Sequence, residues 1–135
     1  MKGYKTLATS IPPENLSHEI LPSTEIKKII EKVLDASKAE DIEVIDLRGQ
    51  SSIADYMIIA SGQSSRQIVG FAGKIQDELL EHGMKVRSEG ASQGDWVVLD
   101  AIDVIVHLFR PEVREFYAIE KMWRNEPDRP VAALQ

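Results

Sequence analysis

From Thr24 onward, apolar side chains recur at Ile26, Ile29, Ile30, Val33 and Leu34. The spacing i, i+3, i+4, i+7, i+8 is one continuous stripe along an α-helix, so the ordered part of the chain is expected to open with a helix that lies on an apolar surface. Ser23 or Thr24 is placed to cap it, and Glu25 suits its first turn. The period then changes. Ile42 to Leu47 reads as a strand ended by the Arg48-Gly49 turn, and Asp55 to Ala60 has the short apolar run of a buried strand. Ser61 to Ser65 is a turn whose hydroxyls can accept the free N–H groups of a following helix. Ile68, Phe71, Ala72, Ile75 and Leu79 mark that helix's buried face, and Gly83 is placed to end it in the left-handed conformation. Gly70 and Gly73 stand inside it at a cost of about 1 kcal/mol each relative to Ala, which predicts close approach of another element.

Three further strands are predicted, at Met84 to Glu89, Asp95 to Leu99 and Val104 to Phe109, the last two joined as an antiparallel hairpin through Asp100 to Asp103. Pro111 suits the first turn of a final helix, with Val113, Phe116, Ile119 and Trp123 facing inward. The order α-β-β-α-β-β-β-α makes this an α/β (α+β) chain with a mixed five-stranded sheet flanked by helices. Residues 1–23 hold Pro12, Pro13 and Pro22, show no period, and read as a flexible extension. The domain is expected over 24–126, followed by a tail over 127–135.

Composition narrows the field. The 135 residues include 16 Lys and Arg against 22 Asp and Glu, a net charge of −6, with 43% hydrophobic residues and no cysteine. That suits one domain with a real core. It removes disulfides, zinc ribbons and cysteine nucleophiles. The acidic balance argues against a general nucleic-acid coat, which needs a dense Lys and Arg surface, and no direct sequence-specific nucleic-acid binding is expected. No apolar run approaches the ~20 residues of a bilayer span, and the first residues lack a signal core, so the expected setting is cytoplasmic, away from membranes.

Candidates for chemistry are few. His18, His82 and His107 are far apart and lack metal-ligand spacing, so no metal site built on His is expected, and no cofactor is expected either. His107, inside the apolar run VIVHLF, reads as a packed, hydrogen-bonded histidine. Asp100 and Asp103 bracket a turn, where Asp bonds its own backbone, instead of sharing one strand face as a metal pair would. Ser65 and Arg66 lie at a helix N-terminus that can attract an anion, although capping explains the serines without a ligand. The hairpin itself remains. By alternation Trp96, Val98 and Asp100 point to one face while Val97 and Leu99 point to the other. If the second pair packs on the helices, Trp96 and Val98 form an outer apolar patch rimmed by carboxylates, with the look of an interface anchor. If both faces are covered, Trp96 is core.

Several separated motifs stand in order along the chain: Asp46-Leu47-Arg48-Gly49, Ser51-Ser52-Ile53-Ala54-Asp55-Tyr56, Ser64-Ser65-Arg66-Gln67, Gly94-Asp95-Trp96-Val97, Asp103-Val104-Ile105-Val106-His107 and Arg114-Glu115-Phe116-Tyr117. Over about Glu25 to Glu126 the chain closely resembles the ribosomal silencing factor RsfS family, also called Iojap-like. The resemblance implies a sheet related to the nucleotidyltransferase fold but without its catalytic residues, and so a protein that is not an enzyme. It also implies binding to the large ribosomal subunit through its protein fourteen, on the face that meets the small subunit. Subunit joining is then blocked sterically and translation falls when nutrients are short or in stationary phase.

Carried onto this sequence, the resemblance makes Trp96 the main anchor, Val98 and Leu99 apolar contacts, and Asp95, Asp100 and Asp103 polar ones, with Ser65 and Arg66 of lower rank. An acidic domain is suited to a basic ribosomal protein and is repelled by bare RNA. The outward strand surface is also suited to a homodimer of the free protein. One departure stands out: relatives usually carry Gly before the second hairpin Asp, where this chain has Ile102. The competing reading is a magnesium-dependent nucleotidyltransferase-like enzyme using Asp46, Asp100 or Asp103.

Overall fold

The computed structural model of the chain describes residues 21–92 and 94–117. The expected extension up to residue 20, the inward positions Ile119 and Trp123, and the tail lie outside these residues, as does the side chain of Phe116. Within them the elements are α1 (Ser23–Ala36), β1 (Glu40–Asp46), β2 (Tyr56–Ser61), α2 (Ser65–Glu81), β3 (Arg87–Glu89), β4 (Trp96–Asp100), β5 (Val104–Phe109) and α3 (Pro111–Tyr117). The order is the one that periodicity predicts.

The strands form one five-stranded sheet in the order β1-β2-β5-β4-β3. β2 and β5 run parallel at its centre and the other neighbours are antiparallel. The parallel pair exists because α2 and the β3-β4 segment intervene, giving the chain the length to return on the same side of the sheet. The apolar stripes of α1 (Ile26, Ile30, Leu34) and α2 (Ile68, Phe71, Ala72, Ile75, Leu79) cover one face. Beneath them lie Tyr56, Ile58 and Ala60 of β2, Val104, Val106 and Leu108 of β5, and Val97 and Leu99 of β4. This is the main core. Leu21, assigned by the sequence to the extension, also packs against it.

Local expectations met different fates. Gly83 does end α2 in the left-handed region, at φ +85, with its N–H donating to the carbonyl of Leu80 and that of Met84 to Leu79. Gly70 and Gly73 mark no close approach among the described residues, where a Cβ at either would meet nothing within 4 Å. Both lie on the sides of α2 turned away from the sheet, where the absence of a side chain costs helix stability. Ser23 does not cap α1. It is the first helical residue, Pro22 occupies the cap position, and the Ser23 hydroxyl donates to Asp55 at 2.7 Å. The third strand is shorter than expected because Gln76 Nε2 takes the carbonyl of Val86 at 2.9 Å while Met84 and Val86 turn into the core.

Candidate interaction face

The strand register lays out the face that α1 and α2 leave uncovered. One row runs Arg87, Asp100, Ile105, Met57, Ile45 across the five strands; the next runs Glu89, Val98, His107, Ile59, Glu43; the third holds Trp96, Phe109 and Ser61. The two halves of this face differ. On the β1-β2 side Ile45, Met57, Ile59 and Phe109 are buried in a second apolar cluster with Leu47 and Ala54, against which Val113 of α3 packs. On the β4-β5 side Trp96, Val98, Ile105 and His107 are half-buried, and Asp95, Asp100, Arg87 and Glu89 around them are exposed. Of the two arrangements left open by alternation, the structure takes neither in full: Trp96 is half-buried, packed against the second apolar cluster.

Trp96 is held by its neighbours. Its ring stacks on Phe109 with centroids 4.9 Å apart, and Nε1 donates to Nδ1 of His107 at 3.0 Å. His107 is therefore the packed, hydrogen-bonded histidine that its apolar strand suggested. Burial, which disfavours the charged ring, pushes its pKa down to about 4.

At the edge of this group the second helix meets the hairpin. Ser64 caps α2 by accepting the N–H of Gln67 at 3.1 Å, and Gln67 Oε1 reaches back to the N–H of Gln63. This is a capping box shifted by one residue, and it accounts for the serine-rich turn without a ligand. Ser65 Oγ donates to Asp95 Oδ1 at 3.4 Å, and Arg110 Nε lies 3.5 Å from the same oxygen. That Nε is buried and, among the described residues, makes this ion pair without a hydrogen bond. Arg110 Nη2 pairs with Glu112 at 2.9 Å. So Ser65 and Asp95, predicted from separate motifs, are neighbours beside Trp96, while Arg66 is exposed on the first turn of α2.

The remaining predicted residues divide. Asp100 lies on the outer face and its Oδ1 accepts the N–H of Ile102 at 3.1 Å. Asp103 is exposed, and its backbone carbonyl accepts the N–H groups of both Asp55 and Tyr56. Leu99 has to be corrected. It is fully buried under the helices, on the opposite face from Trp96, because strand alternation that turns Trp96 and Val98 outward turns Leu99 in. It supports the hairpin from below. Ile105, His107, Arg87 and Glu89 were missed as members of the face, although the alternation applied to β4 finds Ile105 and His107 when it is extended to β5.

Two of the carboxylates of the enzymatic reading, Asp46 and Asp100, lie on opposite faces of the sheet, and the described residues hold no cluster of three or more metal-ligating side chains. Asp46 pairs in register with Tyr56 on the helix-covered face, whereas Asp100 pairs with Ile105 on the outer one. Asp46 is also occupied: Arg48 clamps it through Nε at 2.9 Å and Nη2 at 2.7 Å, and these bonds hold its pKa down to about 2.

This arrangement has relatives. The family description "Ribosomal silencing factor during starvation" matches residues 21–135. The chain belongs to the ribosomal silencing factor family. A ribosomal silencing factor of Zymomonas mobilis is 50% identical over 108 residues, covering 78% of this chain and 81% of the relative. That of Bacillus subtilis is 39% identical over 103 residues, covering 76% and 87%. A crystal structure of a Chromobacterium violaceum protein superposes with a TM-score of 0.75 at 37% identity, covering 85% of this chain and 98% of that one. Within the ribosomal silencing factor family the glycine expected before Asp103 has a physical reason here. Position 102 has φ +68, and Ile102 adopts it with its side chain 50% exposed.

Proposed function

We propose that this ribosomal silencing factor acts by docking the outer face of β4 and β5 on protein fourteen of the large ribosomal subunit. Occupying that site obstructs the small subunit, so the mechanism is steric and represses translation under nutrient limitation or in stationary phase. The observation that carries the reading is the half-open apolar face centred on Trp96, set within a family whose members are named for silencing ribosomes. An aromatic anchor with aliphatic neighbours and a charged rim is the composition of a specific protein interface. Asp95, Asp100 and Glu89 steer it toward a basic ribosomal protein, and Arg87 beside Asp100 adds a group that discriminates among acidic and basic partners. The working unit spans residues 24–126, acts in the cytoplasm, and in its free form pairs with a second copy through the same face, which subunit binding then displaces.

Co-sedimentation of the full chain with purified large subunits tests this reading. Wild type is expected to bind, to lower the yield of joined ribosomes, and to lose at least about tenfold in affinity on Trp96→Ala, as an interface hot spot does. Normal binding by a folded Trp96→Ala chain removes the hairpin from the interface. Failure of the wild type to bind large subunits removes the function, and tight magnesium-dependent binding of nucleoside triphosphates would favour the enzymatic alternative.

A further inference from the structure

Trp96 brings two kinds of chemistry to the outer face, a large apolar ring and an indole N–H that can only donate. An N–H buried by a docking partner must be matched by an acceptor, or binding weakens. In this fold the acceptor comes from within the chain. Trp96 Nε1 lies 3.0 Å from Nδ1 of His107 on the adjacent strand, one diagonal step from the register partner Phe109. The rings of Trp96, His107 and Phe109 form one group with centroids 4.9 to 5.9 Å apart. A ring nitrogen that accepts carries no proton, so the bond selects the neutral tautomer with its proton on Nε2. The backbones of both residues are fixed by the β4-β5 ladder, whose alternate residues Val97, Leu99, Val106 and Leu108 are fully buried on the helix side. The indole is thereby set from two directions, by stacking on Phe109 and by its N–H on His107.

We infer that His107 is a positioning residue for docking of this face. It holds the Trp96 indole in one orientation before a partner arrives and engages its N–H internally, so that the indole enters the interface as an apolar surface. The inference rests on the docking role proposed above. Fixing a large side chain in advance removes an ordering cost that binding would otherwise carry, worth about three- to tenfold in affinity for one such group.

The test compares full-length wild type, His107→Phe and His107→Gln. Phe keeps a ring but removes the acceptor, whereas Gln keeps an acceptor oxygen. Two quantities are measured for each: the solvent-exchange rate of the Trp96 indole proton, identified by its loss in Trp96→Phe, and the affinity for purified large subunits. His107→Phe is expected to speed indole exchange and to weaken binding about three- to tenfold, with His107→Gln recovering both together. Affinity that follows indole protection across the series supports the inference. Fast exchange with wild-type affinity overturns it, and so does weakened affinity with unchanged exchange, which would be a packing effect. Where His107→Phe fails to fold, His107→Gln and His107→Asn supply the same correlation. Loss of binding in Trp96→Ala but not in His107→Phe overturns the inference alone, whereas wild-type binding by Trp96→Ala overturns the docking role as well.

Discussion

Gly94 and Ser65 are packed so closely that a Cβ at position 94 would stand 2.6 Å from the Ser65 Cβ. Gly94 also has φ +75, and this contact is what brings Asp95 against the start of α2 and sets Trp96 at the mouth of its strand. Gly94→Ala combines a left-handed penalty with a clash against the Ser65 Cβ on the first turn of α2. It is expected to cost about 2–4 kcal/mol, with about 1 kcal/mol of that cost relieved in a Ser65→Gly background. Urea unfolding of the two single variants and the double variant measures the coupling, and strict additivity would refute it.

Ile102 is strained in a way its replacement can reveal. The loop between β4 and β5 is closed by the N–H of Ala101 on the carbonyl of Val104 at 2.9 Å, and φ is positive at Ile102, the first of the two central positions. That is the pattern of a type II′ turn, which favours Gly there. A β-branched residue in this region costs about 1–2 kcal/mol, partly offset by the greater freedom Gly has when unfolded. Ile102→Gly should raise the stability of the chain by about 1 kcal/mol, seen as a higher urea midpoint at unchanged slope. A lower midpoint would show that the exposed isoleucine makes a stabilising contact.

His107 makes stability depend on pH. Its pKa is about 4 in the fold against the ordinary 6.5, so between these values the unfolded chain binds more protons than the folded one. The contribution is complete above about 6.5 and is lost as the pH falls toward 4, at most about 3 kcal/mol. The difference in unfolding free energy between wild type and His107→Gln should therefore shrink from about pH 7.5 to about pH 4.5. A difference that stays constant across that window would mean that His107 is as solvated as an exposed histidine.

Arg114 ties α3 to the sheet. It is buried, donating from Nη1 to the backbone carbonyl of Asp41 at 2.7 Å and to the buried Ser61 hydroxyl at 2.9 Å. Asp41 has φ +49 at the irregular register of β1, so the guanidinium meets a carbonyl that the ladder leaves turned aside. Arg114→Met keeps the length and removes the donors, and is expected to destabilise by about 2–4 kcal/mol. Ser61→Ala should cost less in the Arg114→Met background than in wild type, by about 1 kcal/mol. Equal costs in the two backgrounds would dissolve the pair.

What was legible in the sequence is what local periodicity encodes. Helical stripes fixed α1 and α2, strand alternation fixed which residues of each strand share a face, and Gly83 announced the end of α2. The end of α1 carried no such sign, because Lys38 takes the left-handed position there, at φ +67, that Gly usually fills. Gly70 and Gly73 suggested contacts that are not found among the described residues, because a missing side chain looks the same in sequence whether a neighbour fills the space or solvent does.

Alternation by itself determined that Trp96 and Val98 oppose Val97 and Leu99. Only the tertiary structure decided which pair the helices cover, since that depends on where the chain folds back, and it moved Leu99 from the candidate surface into the core. The same holds for the site's finer geometry. Ser65 and Asp95 are 30 positions apart and Trp96 and His107 are 11 apart, and each pair meets through strand register and helix placement. Periodicity is set by each residue's own backbone, whereas these meetings are set by pairing between distant segments, which no local pattern records.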